Sequence, residues 1–260
     1  MTITDPAATT RQAATTRQAA TPQLDEATMR LMEDERVREC MTHIERQLEL
    51  YTMQYQDKYR RLTEQATRRQ SVAARPDSTA AEGGVLTPLP VPYLWFDLMA
   101  VGPFKQIAPG GPLLPNRIIQ SGERAVLFAV LWRNPTPLAG GPSASAVMAP
   151  LVYQVRGASI EINTASQGPA FEPPPQPFGA GFINIVPMEI PSLPQPLEGR
   201  PRILEIHLTA DVVGVGTGLP PFAAFATRWF QPDLQPGFLG QPDILPGIVE
   251  ESPVRVLIYR

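Results

Sequence analysis

The side chains best suited to acid–base chemistry belong to one predicted strand, Arg202–Val213. Glu205, His207 and Asp211 share one face of it, because side chains alternate between the two faces of a strand. A histidine beside a carboxylate could exchange protons or help to bind a metal. Catalytic zinc usually has three protein ligands of fixed geometry, and no complete set can be named here. A solvent-facing strand surface is therefore favoured, and no metal or other cofactor is expected.

Two other features resemble reactive motifs only superficially. Gly214-Val-Gly216-Thr-Gly218 follows the same strand, but a phosphate-binding loop needs a helix behind its glycines, and the next residues are Leu219-Pro220-Pro221. We expect a tight strand connection there. The single cysteine, Cys40, excludes an intrachain disulfide and is expected to be a half-buried small side chain.

Basic residues that could contact nucleic acid are confined to one end of a predicted helix. Arg60, Arg61, Arg68 and Arg69 are spaced so that they cluster on one side of it. The whole chain has a net charge of −3, however, and nucleic-acid binding also requires a broad basic surface. Neither nucleic acid nor a small molecule is expected as a partner.

Composition divides the chain into two physically different parts. Of 31 prolines, 28 occur from Pro88 onward, whereas 20 of the 47 charged residues lie between Asp25 and Arg75. The fold class predicted is therefore α+β by segments. The expected parts are a disordered arm with an AATTRQ repeat (1–21), a long helix for oligomerisation (22–70), a proline-rich linker (71–92), a β-sandwich (93–230), and a strap with a C-terminal strand (231–260).

The predicted helix carries an apolar stripe with heptad spacing, called here the seam. Two interpretations remain open: a coiled coil between copies of the chain, or packing of the helix on its own domain. Residues 24–50 hold eight acidic and four basic residues, and 51–75 hold two acidic and six basic, which would suit antiparallel pairing of two copies. The seam residues are Val37, Met41, Ile44, Leu48, Tyr51, Tyr55 and Leu62.

Strand-like periodicity begins after Pro92 and predicts an antiparallel sandwich. The stretch QSGERAVLFAVLWRNPT, residues 120–136, resembles the second strand of many Ig-like domains, and a jelly roll is the alternative. Its apolar run predicts a central strand covered by a second sheet. The predicted strands are Tyr93–Ala100, Arg124–Trp132, Leu151–Arg156, Ser159–Asn163, Gly181–Val186, Arg202–Val213, Phe222–Phe230 and Val254–Arg260.

A decapeptide is repeated near the end of the chain, at Gln231–Gly240 and Gln241–Glu250. Its prolines bar it from a helix and from a central strand, so we expect an extended strap over the sandwich. The strap would deliver the last strand to a sheet edge of this domain or of a neighbouring copy. The apolar residues expected to anchor it are Leu234, Phe238, Leu239, Ile244, Ile248, Val249, Val254, Val256 and Ile258.

These features together predict a structural protein without enzymatic activity. We expect it to self-associate through the helix and to present the sandwich for packing in a larger complex with other proteins. One alternative is a jelly-roll shell or virion component; the other is a ligand-binding or hydrolytic sandwich that uses the face of Glu205, His207 and Asp211. The sequence has no apolar run long enough to span a bilayer, and a cytoplasmic location is expected.

Overall fold

The fold is described from a computed structural model. It covers residues 26–73, 96–136, 142–191, 199–213, 223–226, 228–230, 248–251 and 253–260. The predicted N-terminal arm, most of the proline-rich linker, the glycine-rich stretch after Val213 and strap residues 231–247 lie outside the described residues.

The predicted long helix is divided in two at Asp34. Helix α1 is Glu26–Glu33 and helix α2, with 39 residues, is Glu35–Ala73. Asp34 Oδ1 accepts a hydrogen bond of 3.0 Å from the backbone N of Arg36, so this side chain caps the start of α2. Arg124, from the start of a strand, donates to Asp34 Oδ2 at 2.8 Å. The break is therefore fixed by a capping residue and by a contact that is distant in sequence.

The remainder of the described chain is mainly strands. The strands are β1 (Phe96–Gln106), β2 (Leu113–Pro115), β3 (Ile118–Gln120), β4 (Ala125–Arg133), β5 (Val152–Glu161), β6 (Ser166–Gln167), β7 (Gln176–Pro177), β8 (Ile183–Ile190), β9 (Arg202–Val213), β10 (Ala223–Phe225), β11 (Arg228–Phe230), β12 (Ile248–Glu251) and β13 (Val254–Tyr259); a short helix, α3, is Ala144–Met148.

The strands form two sheets with mostly antiparallel pairing. The first sheet has the order β12-β11-β1-β4-β8, with β2 also on β1. The second has the order β3-β13-β9-β5-β6, with β10 on β9 and β7 on β5. Two pairs are parallel, β1 with β11 and β13 with β3. The prediction of a wholly antiparallel arrangement was therefore wrong at these pairs.

Two hydrophobic cores make the described fold a three-layer structure. One core lies between the sheets and includes Leu127 of β4, Val155 of β5 and Ile206 of β9. The other lies between the outer face of the first sheet and the helices, and includes Phe128 of β4 and Ile44 of α2. Strand β4 is consequently buried along its whole length, covered by the second sheet on one face and by α2 on the other.

Most predicted strands are present, but two of them form a single strand and another is replaced by two strands. The predicted strands at 151–156 and 159–163 are one continuous strand, β5. Two separate strands occur within the predicted strand at 222–230: β10 pairs in the second sheet and β11 in the first. The chain returns from the first sheet to the second between β12 and β13. Within the described residues, no helix is long and apolar enough to cross a membrane.

Candidate interaction surfaces

The polar face of β9 forms part of the outer surface of the second sheet. Opposite Glu205 stand Ile160 of β5 and Arg255 of β13. His207 Nε2 lies 3.0 Å from Glu205 Oε1, and Arg255 Nε donates to Glu205 Oε2 at 3.1 Å. The contact between His207 and Glu205 anticipated from their spacing is present, and Arg255 completes the group.

Asp211 belongs to a different cluster on the same face. Arg156 Nη1 donates to Asp211 Oδ2, and Arg156 Nε donates to Glu172 Oε1 at 2.7 Å. The pKa of Arg156 is raised, mainly by its hydrogen bond to Glu172. Asp211 lies four residues from His207, about 13 Å along the strand at a rise near 3.3 Å per residue. The three residues therefore share a face, but the structure does not bring Asp211 to His207.

The arrangement on β9 is that of a charge-paired sheet surface. Each described carboxylate on it faces a guanidinium, and His207 has a side-chain exposure of 44%. Within the part of the chain that the structure describes, no group of three or more His, Cys, Asp and Glu residues could hold a metal ion. The geometry offers ion pairs that can be exchanged for contacts with another surface.

The seam of α2 contacts the first sheet of its own chain over its first half. Val37, Ile44 and Leu48 have no exposed surface, and they pack on apolar side chains of β1 and β4. Cys40 and Met41 are half-buried in the same layer. Of the two interpretations of the stripe, the structure therefore has the helix packed on its own domain for these residues, and the coiled-coil hypothesis does not apply to them.

Trp132, near the end of β4, holds the middle of α2. Its indole lies 5.1 Å from the Tyr51 ring and 5.2 Å from the Tyr55 ring, measured between centroids. Trp132 Nε1 donates to Thr52 Oγ1 at 2.9 Å, and Thr52 Oγ1 donates to Leu48 O at 2.7 Å. The indole N–H therefore has a hydrogen-bond partner inside an apolar layer. Trp132 thus contributes apolar packing and a directional hydrogen bond to the contact between helix and sheet.

Cys40 borders a cleft of about 210 Å³ between α2 and β2, beside His43 and Leu113. Burial raises the pKa of the Cys40 thiol to about 11. A thiol is a nucleophile only as the thiolate, so this environment suppresses its reactivity. The expected half-buried cysteine is observed.

The second half of α2, residues 57–73, has no buried side chain where burial is described, and it is called here the projecting segment. Gln56 Nε2 donates to Pro135 O at 3.0 Å, and the buried residues of α2 lie at or before Thr52. Leu62, the last seam residue, is 47% exposed. At 1.5 Å per residue, the 39 residues of α2 extend about 58 Å. The Arg60, Arg61 and Arg68 side chains are all exposed on this segment.

The anchoring residues of the strap divide between described and undescribed parts of the chain. Leu234, Phe238, Leu239 and Ile244 lie outside the described residues. Ile248 and Val249 begin β12, which pairs with β11 in the first sheet.

The C-terminal strand β13 lies inside the second sheet of the same chain, between β3 and β9. Val254, Val256 and Ile258 are buried in the core between the sheets. The expectation of a strand at a sheet edge was therefore wrong, and the sheet it completes is its own.

One buried ionisable residue was not singled out from the sequence. Arg133, at the end of β4, is fully buried; its Nη1 donates to Ser145 O at 2.8 Å and its Nη2 to Gly179 O at 2.6 Å. Its guanidinium carbon lies 4.9 Å from the centre of the Phe178 ring. Burial lowers the pKa of Arg133 to about 10. The only signal in the sequence is an arginine that directly follows a long apolar run, and this does not distinguish a buried side chain from an exposed one.

The chain matches no protein-family model, and a comparison with curated proteins gives no match either.

Proposed function

We propose that this chain is a non-enzymatic structural protein that assembles with copies of itself, and that its sandwich is Ig-like. In the Ig-like arrangement, the second strand lies between the first and the fifth, and the sixth lies between the third and the seventh. Here β4 lies between β1 and β8, and β9 lies between β5 and β13, in the same order along the chain. The preference over a jelly roll rests on this strand order, since both arrangements are built mainly from antiparallel strands.

The observation that carries the assembly function is the projecting segment. An amphipathic helix normally buries its apolar stripe, and Leu62 of this stripe is 47% exposed. The half-buried side chains of this segment, Tyr59, Thr63 and Ala66, lie three or four residues apart and continue the stripe. A second copy would cover Leu62 and the exposed part of that stripe.

Charge favours an antiparallel approach of two copies. The docked half of α2 exposes four glutamates against two arginines, and the projecting segment exposes three arginines against two carboxylates. The residues are Glu35, Glu39, Glu45, Glu49, Arg38 and Arg46 in the first half, and Arg60, Arg61, Arg68, Asp57 and Glu64 in the second. An antiparallel pair would place the basic segment of one copy along the acidic half of the other. These exposed charges act over about 8 Å at physiological salt, so they would guide orientation more than they would add affinity.

The test is the mass of the whole chain in solution, measured by light scattering. We expect a multiple of 28.5 kDa. Leu62→Gln should weaken association about tenfold or more, because a leucine contributes roughly 1.5–3 kcal/mol when it becomes buried. Glu64→Gln is the control, since Glu64 is exposed on the same segment and lies on the opposite side of the helix from the stripe. A monomeric whole chain, or equal effects of the two substitutions, would refute helix-mediated assembly.

A further inference from the structure

The outer face of the second sheet carries an unbroken apolar row across four neighbouring strand positions. In the pairing register, Leu257 of β13 lies beside Ile118 of β3 on one side and Ile203 of β9 on the other. Ile162, which directly follows β5, donates its backbone N–H to Ile203 O at 2.9 Å and thus adjoins the same position. The apolar row consists of Ile118, Leu257, Ile203 and Ile162.

The side chains of the row point away from the sandwich core. Ile118 is 51% exposed and Ile162 is 44% exposed, while Leu257 and Ile203 between them are half-buried. Ile119, the next residue after Ile118, faces inward and is buried in the core between the sheets. An antiparallel sheet with one solvated face normally presents polar residues on that face. A contiguous apolar row on it indicates a site of contact with another surface.

Two more apolar side chains enlarge the row into a patch. Ile160 precedes Ile162 on the same face of β5 and is 44% exposed, and Tyr259 follows Leu257 on the same face of β13 and is 38% exposed. Across the sheet, Ile160 is paired with Glu205 and Tyr259 with Gln120. The two residues therefore extend the row along β5 and β13, on opposite sides of it.

The area of this face suits a small protein interface. Its strands β3, β13, β9 and β5 have 3, 6, 12 and 10 residues. At about 3.3 Å per residue and about 4.8 Å between strands, they cover about 490 Å² in projection. A stable, specific complex buries roughly 800 Å² per partner, so this face alone suits a weak self-contact. The patch lies at one end of this face and the ion pairs occupy the rest.

The charges around the patch favour an identical surface as the partner. Glu205 and Arg255 border the apolar row, and Arg156 and Asp211 lie farther along β9 and β5. The face therefore alternates signs over short distances and offers no block of one charge to a strongly acidic or basic partner. Two such faces related by a twofold axis can exchange ion pairs, Glu205 of one copy with Arg255 of the other, without leaving a charge unpaired.

We propose that the outer face of the second sheet binds the same face of a second copy, through a twofold interface centred on Ile203 and Leu257. This interface rests on the proposed self-assembly but uses a surface separate from α2. With the projecting segment it gives each copy two different self-contacts. Assembly can then continue beyond a dimer.

Sedimentation velocity of the whole chain tests the interface with Ile118→Asp and Ile162→Asp. A carboxylate buried in an apolar contact should weaken dimerisation about 100-fold. Ile107→Asp is the matched control, because Ile107 is 63% exposed at the turn after β1 and lies outside this face. Unchanged circular dichroism would confirm that the variants are folded, as expected for substitutions at exposed positions.

Cross-linking then tests contact directly. In a Cys40→Ser background, a short bismaleimide reagent should cross-link Ile203→Cys into a dimer, because facing sheets pack about 10 Å apart and residues near a twofold axis lie close to their own copies. Ile107→Cys should not be cross-linked. Association that is lost with Leu62→Gln but unaffected by Ile118→Asp and Ile162→Asp, with no cross-link at position 203, would overturn this interface and leave the helix contact standing. The opposite pattern would support this interface and refute the helix contact. A monomer would overturn both.

Discussion

Replacing Ile44 with alanine tests how much the packing of α2 on the sheet of the same chain contributes to the free energy of unfolding. Ile44 has no exposed surface and packs between the helix and β4. The substitution removes three carbons, worth about 0.8 kcal/mol each, or about 2.4 kcal/mol. The cavity that remains should bring the loss in the free energy of unfolding to about 3–4 kcal/mol.

Urea denaturation followed by tryptophan fluorescence is the appropriate measurement, because Trp132 contacts Tyr51 and Tyr55 at the helix–sheet contact. The urea midpoint should fall without a large change in slope. Leu50→Ala is the control, since Leu50 is 53% exposed on the same helix and should change stability by no more than about 0.5 kcal/mol.

Protein concentration separates the two interpretations of the seam. If Ile44 is buried within one chain, the destabilisation by Ile44→Ala should be the same at low and high protein concentration. If the seam were buried against another copy, stability would depend on concentration by mass action, and so would the effect of the substitution. Equal effects of Ile44→Ala and Leu50→Ala, or a loss that disappears at high concentration, would refute the docked helix.

Two further predictions concern ionisable groups. Because the pKa of Cys40 is about 11 against an ordinary value of 9.0, its alkylation by iodoacetamide at pH 8 should be about 100-fold slower in the folded chain than in urea; equal rates would show that the thiol is not protected. Arg202 Nε donates to Glu161 Oε1 at 2.8 Å, and this hydrogen bond is the main reason that the pKa of Glu161 lies below its ordinary value of 4.5. The Glu161 contribution to stability should therefore be complete above pH 4.5 and be lost as the pH falls through the lowered pKa. Urea midpoints of the wild type and Glu161→Gln should converge in acid, and a constant difference from pH 7 to pH 3 would contradict this.

Much of the β architecture could be predicted because burial leaves a local pattern. The alternation of β9 identified its inner and outer faces, and the apolar run of β4 indicated a strand covered on both faces. The sequence did not reveal that one of those covers is a helix. A stripe of heptad spacing buries equally well against another helix or against a sheet, so Val37 and Ile44 carry no information on which partner they meet.

Other features depend on contacts between residues far apart in the chain. The break at Asp34 is stabilised by Arg124, and no glycine or proline marks it. The pairing of Asp211 with Arg156 depends on the register between β9 and β5. The apolar row was not foreseen because its members come from four segments, each of which contributes a single residue. Only the register of the strands brings them side by side.

The crossings between the sheets have a consequence for how the chain folds. Strands β10 and β13 belong to the second sheet, while β11 and β12, which lie between them in the chain, belong to the first. Because β13 lies between β3 and β9, the second sheet cannot close until residues as late as Tyr259 have been synthesised. Until then β9 has an unpaired edge, which is available to strands of other chains. Because the chain crosses between the two sheets more than once, the sheets should fold as one cooperative unit rather than one after the other. Many of these contacts are distant in sequence, so folding should be slow.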